Sequence, residues 1–258
     1  MDLDLVGRTA LVTGSYRGTG AIIAKALLAE GAQVLVHGLE PGQAEAAVTE
    51  IGGGVAVSAD ITNEAGCEHL YAQTAEHPVD ILVNNYGTAD PGTWSDSRWS
   101  DWIIAYEKNV LSAQHLIRRL LPQMTDRGWG RIINLGTVGS TRPNSRMPGY
   151  YSAKGALATM SVSLAKEVAR TGVTVNLVSP GLILTPEIEQ AYLKTGKREG
   201  WGETWEEIEP HVAKDIPIGR IVRREEVAAL VTFIASPIND ALHGQNIRID
   251  GGALDIVT

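Results

Sequence analysis

The feature that most constrains this chain is a regular alternation of short apolar runs with longer amphipathic segments. Seven runs have the composition and length of strands: residues 9–12, 34–36, 55–57, 81–83, 132–133, 173–175 and 247–249. Four intervening segments place apolar residues at i, i+3 and i+4, as helices do: residues 21–28, 102–121, 157–168 and 227–235. Because parallel strands need long, right-handed connections, this alternation predicts a doubly wound α/β fold with a seven-stranded parallel sheet and helices on both faces.

Length, charge and cysteine content exclude several classes of protein. No linker, repeat or low-complexity tract divides the 258 residues, so we expect one domain, 1–258. The net charge of -8 argues against a nucleic-acid partner. No apolar run is long enough to span a membrane and the first eight residues carry acids, so we expect a cytoplasmic protein without membrane association. The single cysteine, Cys67, has no nearby histidine cluster, which predicts neither a disulfide nor a metal site.

One segment departs from the regular pattern. Residues 186–217 contain many acids together with Trp201 and Trp205 but no strand pattern. Long insertions of this kind in compact domains usually form functional lids or flexible loops. We therefore predict a substrate lid at 186–217, inserted within the single domain.

A glycine-rich turn between the first strand and the first helix predicts a phosphate site. Glycines there let the backbone approach a pyrophosphate, while the helix N-terminus supplies free N–H groups and the positive end of a dipole. The candidate binding residues are Gly14, Ser15, Tyr16, Arg17, Gly18, Thr19 and Gly20.

The spacing of these glycines, Gly-x-x-x-Gly-x-Gly, resembles that of the short-chain dehydrogenase/reductase family. Four further motifs extend the resemblance over essentially the whole chain: Asn84-Asn85-Tyr86-Gly87, Tyr150-x-x-x-Lys154, Pro180-Gly181 and Ile249-Asp250-Gly251-Gly252. The resemblance implies a Rossmann domain, an NAD(P)-dependent oxidoreductase that interconverts a secondary alcohol and a ketone, and a homotetramer. The most similar members in general character are reductases of 3-oxoacyl carrier-protein thioesters.

The resemblance also implies further cofactor contacts. Asp60 and Ile61 match the pair that lines the adenine pocket, although Asp60 has an alternative role as an acid near a helix N-terminus. Asn85 and Gly87 match the segment that braces the fourth strand beside the cofactor, with Tyr86 in place of a small residue. The segment that closes over the nicotinamide corresponds to Pro180, Gly181, Ile183 and Thr185.

The end of the second strand favours NADP(H) over NAD(H). His37 and Gly38 stand there, where an acid would accept hydrogen bonds from the adenosine ribose. Arg17 resembles the basic residue that NADPH-dependent members place against the 2'-phosphate. Two alternatives remain open: Glu40 reaches back to the ribose while Arg17 is a solvated charge, and His37 is a loop residue without a phosphate contact.

Tyr150 and Lys154 form the predicted catalytic pair, because residues four apart share one helix face. A phenol has a pKa near 10. An ammonium about 4 Å away, at an effective dielectric near 20, favours phenolate by about 4 kcal/mol, roughly three pKa units, before desolvation. We therefore expect Lys154 to lower the pKa of Tyr150, a general acid/base. Tyr151 lacks this spacing. The resemblance implies that Lys154 also binds the nicotinamide ribose.

The resemblance adds two more catalytic residues. Thr137 occupies the position of the family's substrate-orienting serine, with Ser140 as the alternative. Asn109 corresponds to a residue that interrupts a helix and holds a water that relays protons to Lys154. An interior residue bonded to its own backbone is the alternative for Asn109.

The substrate is predicted to be a small carbonyl or alcohol molecule. Three variable segments are expected to set specificity: residues 90–99, 140–149 and 186–217. Two roles are open for the tryptophans Trp94, Trp201 and Trp205. They line the substrate site, or they serve as core or subunit contacts. The acids of the lid oppose a carrier-bound acyl chain, which is itself acidic. A non-catalytic dinucleotide sensor or scaffold on the same fold is the alternative of another class.

Overall fold

The computed structural model describes residues 2–257. Its central sheet has seven parallel strands in the order β3-β2-β1-β4-β5-β6-β9. These strands are β1 Thr9–Val12, β2 Gln33–Gly38, β3 Val55–Ser58, β4 Ile81–Asn84, β5 Gly130–Leu135, β6 Val173–Pro180 and β9 Asn246–Ile249. Each predicted strand lies in this sheet, so the predicted doubly wound α/β fold is confirmed.

Helices cover both faces of the sheet. They are α1 Gly18–Ala29, α2 Gln43–Ile51, α3 Glu64–Gln73, α4 Trp99–Tyr106, α5 Ser112–Asp126, α6 Pro148–Glu167 and α9 Arg224–Ala235. One apolar core packs α1, α2 and α9 against the sheet, and a second packs α3, α5 and α6 against the opposite face. Because both faces are covered, the central strands are apolar on both sides, as their continuous hydrophobic runs require.

The strand order reverses between β1 and β4, which are neighbours in the sheet although two strands separate them in sequence. In a doubly wound sheet, such a reversal opens a crevice at the carboxyl ends of the strands, where ligands bind. The glycine turn follows β1, and Asn85 to Gly87 follow β4. The fold therefore brings these two motifs to the same crevice.

The segment 186–217 is helical rather than a flexible loop. It contains α7 Pro186–Glu199 and α8 Trp205–Val212. Thr185 caps α7, Thr204 caps α8, and Gly200 ends α7 in the left-handed conformation at φ 72°. The two helices pack closely, because the buried Ile208 fills the space above Gly196. A two-stranded sheet lies beside them, formed by β7 Ile183–Leu184 and β8 Val222–Arg223.

None of the helices within residues 2–257 combines the length and apolar character needed to cross a membrane. Within that same range, no cluster of three or more His, Cys, Asp or Glu side chains is arranged to hold a metal ion. Cys67 is a buried free thiol, and its pKa is raised to about 11, chiefly by burial.

Candidate active site

The glycine turn has the backbone geometry of a phosphate cradle. Gly14 and Gly18 adopt left-handed conformations, at φ 64° and 61°, that favour glycine. Helix α1 begins at Gly18, so its first N–H groups are free of helical partners and available to an anion. A Cβ at Gly20 would lie 2.4 Å from the amide nitrogen of Asn85. The close approach of the two motifs therefore requires glycine there.

Behind the turn, His37 and Ser15 form a buried brace. The Gly14 N–H donates to Nδ1 of His37 over 2.9 Å, so the ring carries its proton on Nε2 and donates to the Ala59 carbonyl over 3.0 Å. The Ser15 hydroxyl donates to the Val12 carbonyl and accepts the His37 N–H. Burial lowers the pKa of His37 to about 4, so the ring is neutral.

This arrangement limits how two of the predicted residues could meet a cofactor. The ring of His37 is fully buried and both its nitrogens are bonded, which favours the alternative without a phosphate contact. The side chain of Ser15 is also buried and bonded, which leaves its backbone for a cofactor. Both side chains hold the turn in shape, and their place in a cofactor site stays a prediction.

The end of β2 carries no acid, as predicted. Gly38 is buried, and Oε1 of Gln43 caps the following turn by accepting the N–H groups of Leu39 and Glu40. The Glu40 carboxylate in turn accepts a hydrogen bond from Gln43. Arg17 is exposed, and its guanidinium pairs with Glu187 at the start of α7, with 3.4 Å between Nη1 and Oε1.

The expected adenine side of the crevice contains Asp60, Ile61 and Tyr86. The Asp60 carboxylate is exposed and accepts hydrogen bonds from Thr62 and Asn63, in the turn before α3. Ile61 is a core residue, so its backbone rather than its side chain is available to a ligand. Tyr86 lies directly against Gly14, and burial, with a smaller contribution from Asp60, raises its pKa to about 12.

Two asparagines, Asn84 at the end of β4 and Asn85 directly after it, hold the neighbouring backbone and side chains in place. Asn85 Nδ2 donates to the Thr13 carbonyl over 2.9 Å, which ties this loop to the glycine turn. Asn84 Nδ2 donates to Oδ1 of the buried Asn134 over 2.8 Å. The amide of Asn85 therefore supports the cradle, and its predicted cofactor contact remains a prediction.

Asn109 lies where a π-helical turn, Glu107–Leu111, separates α4 from α5. Backbone hydrogen bonds in such a turn span five residues instead of four, and π-turns are frequent at functional sites. Asn109 Nδ2 donates to the carbonyls of Thr88 and Ala105, over 3.1 and 3.0 Å. Its Oδ1 is buried without a hydrogen-bond partner among residues 2–257. The long helix predicted over 102–121 is thus interrupted at the residue singled out for that role.

Lys154 reaches the same point from α6. Its ammonium donates to the Leu135 carbonyl at the end of β5, over 2.7 Å, and burial lowers its pKa to about 8. A Cβ at Gly87 would lie 2.4 Å from Oδ1 of Asn109 and 3.0 Å from Nζ of Lys154. Gly87 is therefore the position where three elements converge, and a side chain there would displace both groups.

Tyr150 lies one turn before Lys154 on α6, and the Lys154 ammonium is 6.0 Å from the centre of its ring. Burial raises the pKa of Tyr150 to about 12, and a hydrogen bond with Thr137 offsets part of this increase. The predicted lowering by Lys154 is wrong for this protein without ligand. The largest influence on this pKa is the cost of burying a phenolate, and the Lys154 ammonium does not offset it. Tyr150 is a protonated phenol at neutral pH.

The hydroxyl residues near this pair differ in the contacts that they make. Thr137 Oγ1 accepts the Gly139 N–H and interacts with Tyr150. Ser140 donates its hydroxyl to the Thr137 carbonyl over 2.8 Å, so it is already engaged. The hydroxyl of Tyr151 accepts a hydrogen bond from Asn144 in an exposed loop. Thr137 is thus the hydroxyl residue that contacts Tyr150, and the choice of Thr137 and Tyr150 over Ser140 and Tyr151 stays a prediction.

The segment after β6 is folded against the C-terminal turn. Pro180 is buried, and a Cβ at Gly181 would lie 3.0 Å from Cα of Asp250. Ile183 pairs with Val222 in the two-stranded sheet. Thr185 accepts the Ile188 N–H as the cap of α7, which places its hydroxyl at the base of the lid.

A cavity of about 290 Å³ lies beside Tyr151. Its lining residues are Trp94, Ser140, Pro143, Asn144, Pro148, Tyr151, Ser152 and Gly155. Two of the three segments predicted to set specificity therefore meet at this cavity. The lid does not line it, and Trp201 instead stacks on His211 within the lid, with ring centres 5.2 Å apart.

Sequence reasoning missed Glu187 and the brace formed by His37. Glu187 is 170 residues from its partner Arg17, and no local pattern marks that contact. His37 carried a signal, since a histidine at the end of an apolar strand points inward as readily as outward. The sequence alone does not distinguish those two directions.

The family described as enoyl-(acyl carrier protein) reductase matches residues 14–253. D-beta-hydroxybutyrate dehydrogenase of Cupriavidus necator is 38% identical over 259 residues, covering 96% of this chain and 98% of the relative. The fold matches L-sorbose reductase of Gluconobacter frateurii, complexed with NADPH and L-sorbose, at a TM-score of 0.92 and 30% identity, with both chains covered completely.

A second solved structure is 3-oxoacyl (acyl-carrier-protein) reductase of Agrobacterium tumefaciens C58 with NADP bound. Its TM-score is 0.87 and its identity 32%, with 97% of this chain and 95% of that chain covered. These similarities extend over the glycine turn, the crevice and the Tyr150 cluster. The chain belongs to the short-chain dehydrogenase/reductase family and is an NAD(P)-dependent oxidoreductase that interconverts alcohols and ketones.

Proposed function

We propose that this protein uses NADP(H) to interconvert a small hydroxylated ketone and the corresponding secondary alcohol. The observation that carries the proposal is the convergence of Thr137, Tyr150, Lys154 and Asn109 at the edge of the crevice that also holds the glycine turn. A proton donor and a dinucleotide cradle on one crevice are what hydride transfer to a carbonyl requires.

The residues present fit a dinucleotide. Glycine at positions 20 and 87 allows the turn to pack closely on Asn85 and the loop after β4 to pack closely on Lys154, and Asn109 holds a buried, unpartnered oxygen within the described part of the chain. The turn from Gly14 to Gly20, with Asp60, Lys154 and Thr185, would hold the cofactor. When bound, the nicotinamide supplies or accepts hydride.

Tyr150 is the proton donor in the reductive direction. Its phenol is protonated at neutral pH, because burial raises its pKa to about 12. The Thr137 hydroxyl lies beside it and orients the substrate oxygen. Lys154 has a pKa lowered to about 8, so it exchanges protons near neutral pH and replaces the proton that Tyr150 gives up. The free Oδ1 of Asn109 is positioned to hold a water behind Lys154.

NADP(H) is favoured by two observations. No carboxylate stands at the end of β2, where it would repel a 2'-phosphate, and the exposed Arg17 lies in the glycine turn. The two solved relatives described above contain NADPH and NADP.

The proposed substrate follows from the cavity beside Tyr151. Ser140, Asn144 and Ser152 give it hydroxyl and amide groups, which suit a hydroxylated molecule, and Trp94 covers one side. The L-sorbose bound to the Gluconobacter relative supports this class. The acidic residues of α7 and α8 oppose the docking of an acidic carrier protein.

We also propose that residues 1–258 act as a single cytoplasmic domain, with 186–217 as its substrate lid, in a homotetramer. Trp99, Ile103 and Leu111 expose apolar surface on and next to α4, which supports a subunit contact. Light scattering coupled to size exclusion would measure the mass. A mass of four chains supports this arrangement, and a monomer contradicts it.

The proposed activity is tested by following NADPH and NADH absorbance with three kinds of substrate. These are ketohexoses such as L-sorbose, the 3-oxo acid acetoacetate, and a 3-oxoacyl thioester. We expect NADPH-dependent turnover that is fastest with the hydroxylated ketones and is lost in Tyr150→Phe. Cofactor binding without turnover on any of them would instead favour the sensor or scaffold alternative.

A further inference from the structure

An ion pair connects the two sides of the crevice. Arg17 belongs to the glycine turn after β1, whereas Glu187 lies in the first turn of α7, 170 residues later. Nη1 of Arg17 lies 3.4 Å from Oε1 of Glu187, and within residues 2–257 no other carboxylate pairs with this guanidinium. The contact joins the cradle to the base of the lid.

Glu187 is held as an anion at this point. Its own backbone N–H, the Thr185 hydroxyl and the nearby Arg17 all hold its pKa below the usual range. The free N–H groups and the dipole of α7 favour a negative charge there as well. The carboxylate therefore remains charged at neutral pH and available to Arg17.

The pair is exposed and reversible. The side chains of Arg17 and Glu187 are 64% and 63% exposed, so the contact adds little to folding stability. The ion pair instead affects how readily Arg17 binds a second anion. A guanidinium occupied by one anion is available to a second only in the fraction of molecules where the first contact is broken, and the apparent affinity falls by that fraction.

We propose that Glu187 is a specificity-determining residue for the cofactor: its carboxylate competes with the 2'-phosphate of NADP(H) for Arg17. This inference rests on the proposed function, in which Arg17 binds that phosphate. Competition weakens NADPH binding and leaves NADH, which has no 2'-phosphate, unaffected. The preference for NADPH over NADH is then smaller than Arg17 alone would produce.

The test measures dissociation constants for NADPH and NADH by calorimetry at low ionic strength, without substrate. We expect Glu187→Gln to bind NADPH three- to fivefold more tightly, the size of effect that an exposed ion pair produces, and NADH with unchanged affinity. Glu189→Gln is the matched control, because Glu189 lies in the same helical turn. It should leave both constants unchanged.

A double-mutant cycle identifies the route of the effect. Arg17→Ala should weaken NADPH far more than NADH, and adding Glu187→Gln to Arg17→Ala should change nothing further. The fragments 2',5'-ADP and 5'-AMP should repeat the NADPH and NADH pattern, since they differ in the same phosphate. Thermal unfolding of each variant confirms that the fold is kept.

Three outcomes distinguish failure of the proposed competition from failure of the proposed function. Unchanged or weaker NADPH binding by Glu187→Gln, with a selective loss in Arg17→Ala, overturns the competition alone. Equal losses for both cofactors in Arg17→Ala overturn the role of Arg17 and the inference with it. Wild-type protein that binds neither dinucleotide overturns the proposed function itself.

Discussion

The interior of the candidate site and its rim are built in different ways. Asn109 and Lys154 are 1% and 4% exposed, and backbone carbonyls hold both side chains. At the rim, Arg17 and Glu187 are well exposed, and the only contact between their side chains is an ion pair. The groups proposed for proton transfer are therefore fixed in place, whereas the groups proposed for cofactor selection exchange partners.

The difference has a physical basis. Hydrogen bonds to buried backbone groups cannot be replaced by water, so breaking one leaves a polar group unsatisfied. Exposed charges exchange their partners for water and salt at little cost. Interior substitutions should therefore have large effects, and rim substitutions should have small and selective ones.

The largest effect is expected from Tyr150→Phe, which removes the buried proton donor. We expect kcat to fall by about 10³-fold, within the range that general acid-base catalysis contributes, with little change in cofactor affinity. Steady-state kinetics and cofactor titration measure the two quantities. Tyr151→Phe is the control, because the Tyr151 hydroxyl bonds Asn144 in an exposed loop. A comparable loss in Tyr151→Phe would mean that the register is wrong.

The buried brace at His37 should make stability depend on acid pH. The pKa of His37 is about 4 in the folded protein and 6.5 in the unfolded chain. Between these two pKa values, His37 is protonated in the unfolded state and neutral in the folded state. Roughly 3 kcal/mol of the free energy of unfolding is therefore lost as pH falls from 6.5 to 4. Denaturant unfolding at several pH values measures this loss.

His37→Gln should flatten that part of the pH profile, because the titrating ring is gone. His69→Gln should keep the wild-type profile, since His69 is exposed on α3. A profile that is equally steep in His37→Gln would show that other groups cause the acid dependence.

Gly87→Ala tests how closely the interior groups are packed. The added methyl would meet Oδ1 of Asn109 and Nζ of Lys154, so both must move. We expect kcat to fall by about 10²-fold, as small displacements of reacting groups can cause. Gly53→Ala, in the loop before β3, is the control, because its added methyl would meet only the Leu28 side chain, at 3.8 Å. Normal turnover in Gly87→Ala would contradict this packing.

The smallest effect is expected in the lid, where Arg223 ties the start of α9 to α8. Its guanidinium forms two hydrogen bonds with Glu209, of 2.6 and 2.7 Å. Arg223→Gln should lower the unfolding free energy by about 1 kcal/mol, which is 2–4 °C in Tm for a chain of this size. The exposed pair of Arg198 with Glu199 offers the comparison, and Arg198→Gln should change Tm by less. A larger change in Tm for Arg198→Gln than for Arg223→Gln would contradict the expectation that the less exposed ion pair stabilises the fold more.

Sequence patterns were most informative where structure depends on neighbouring residues. The strands follow from apolar runs, and the cradle follows from glycines placed between a strand and a helix. The interruption at Asn109 came from family resemblance, and the structure contains it as a π-turn. The helices α7 and α8 were missed, because this segment is rich in acids and each helix fully buries only one residue, Gly196 in α7 and Ile208 in α8.

Electrostatics were the least predictable property. Spacing alone placed an ammonium near Tyr150 and implied a lower pKa, whereas the folded protein raises that pKa to about 12. The same burial lowers the pKa of Lys154 to about 8. Both shifts depend on how much water the fold removes, and no local spacing contains that information.

The amino-acid sequence by itself determined the seven strands of the sheet and, through the resemblance of its motifs, the family, because periodicity and motif spacing are local properties. Only the tertiary structure decided that His37 points inward, that Gly87 leaves room for Lys154 and Asn109, and that Arg17 contacts Glu187. These are contacts between distant parts of the chain. Their strength depends on burial and distance, which exist only once the chain has folded.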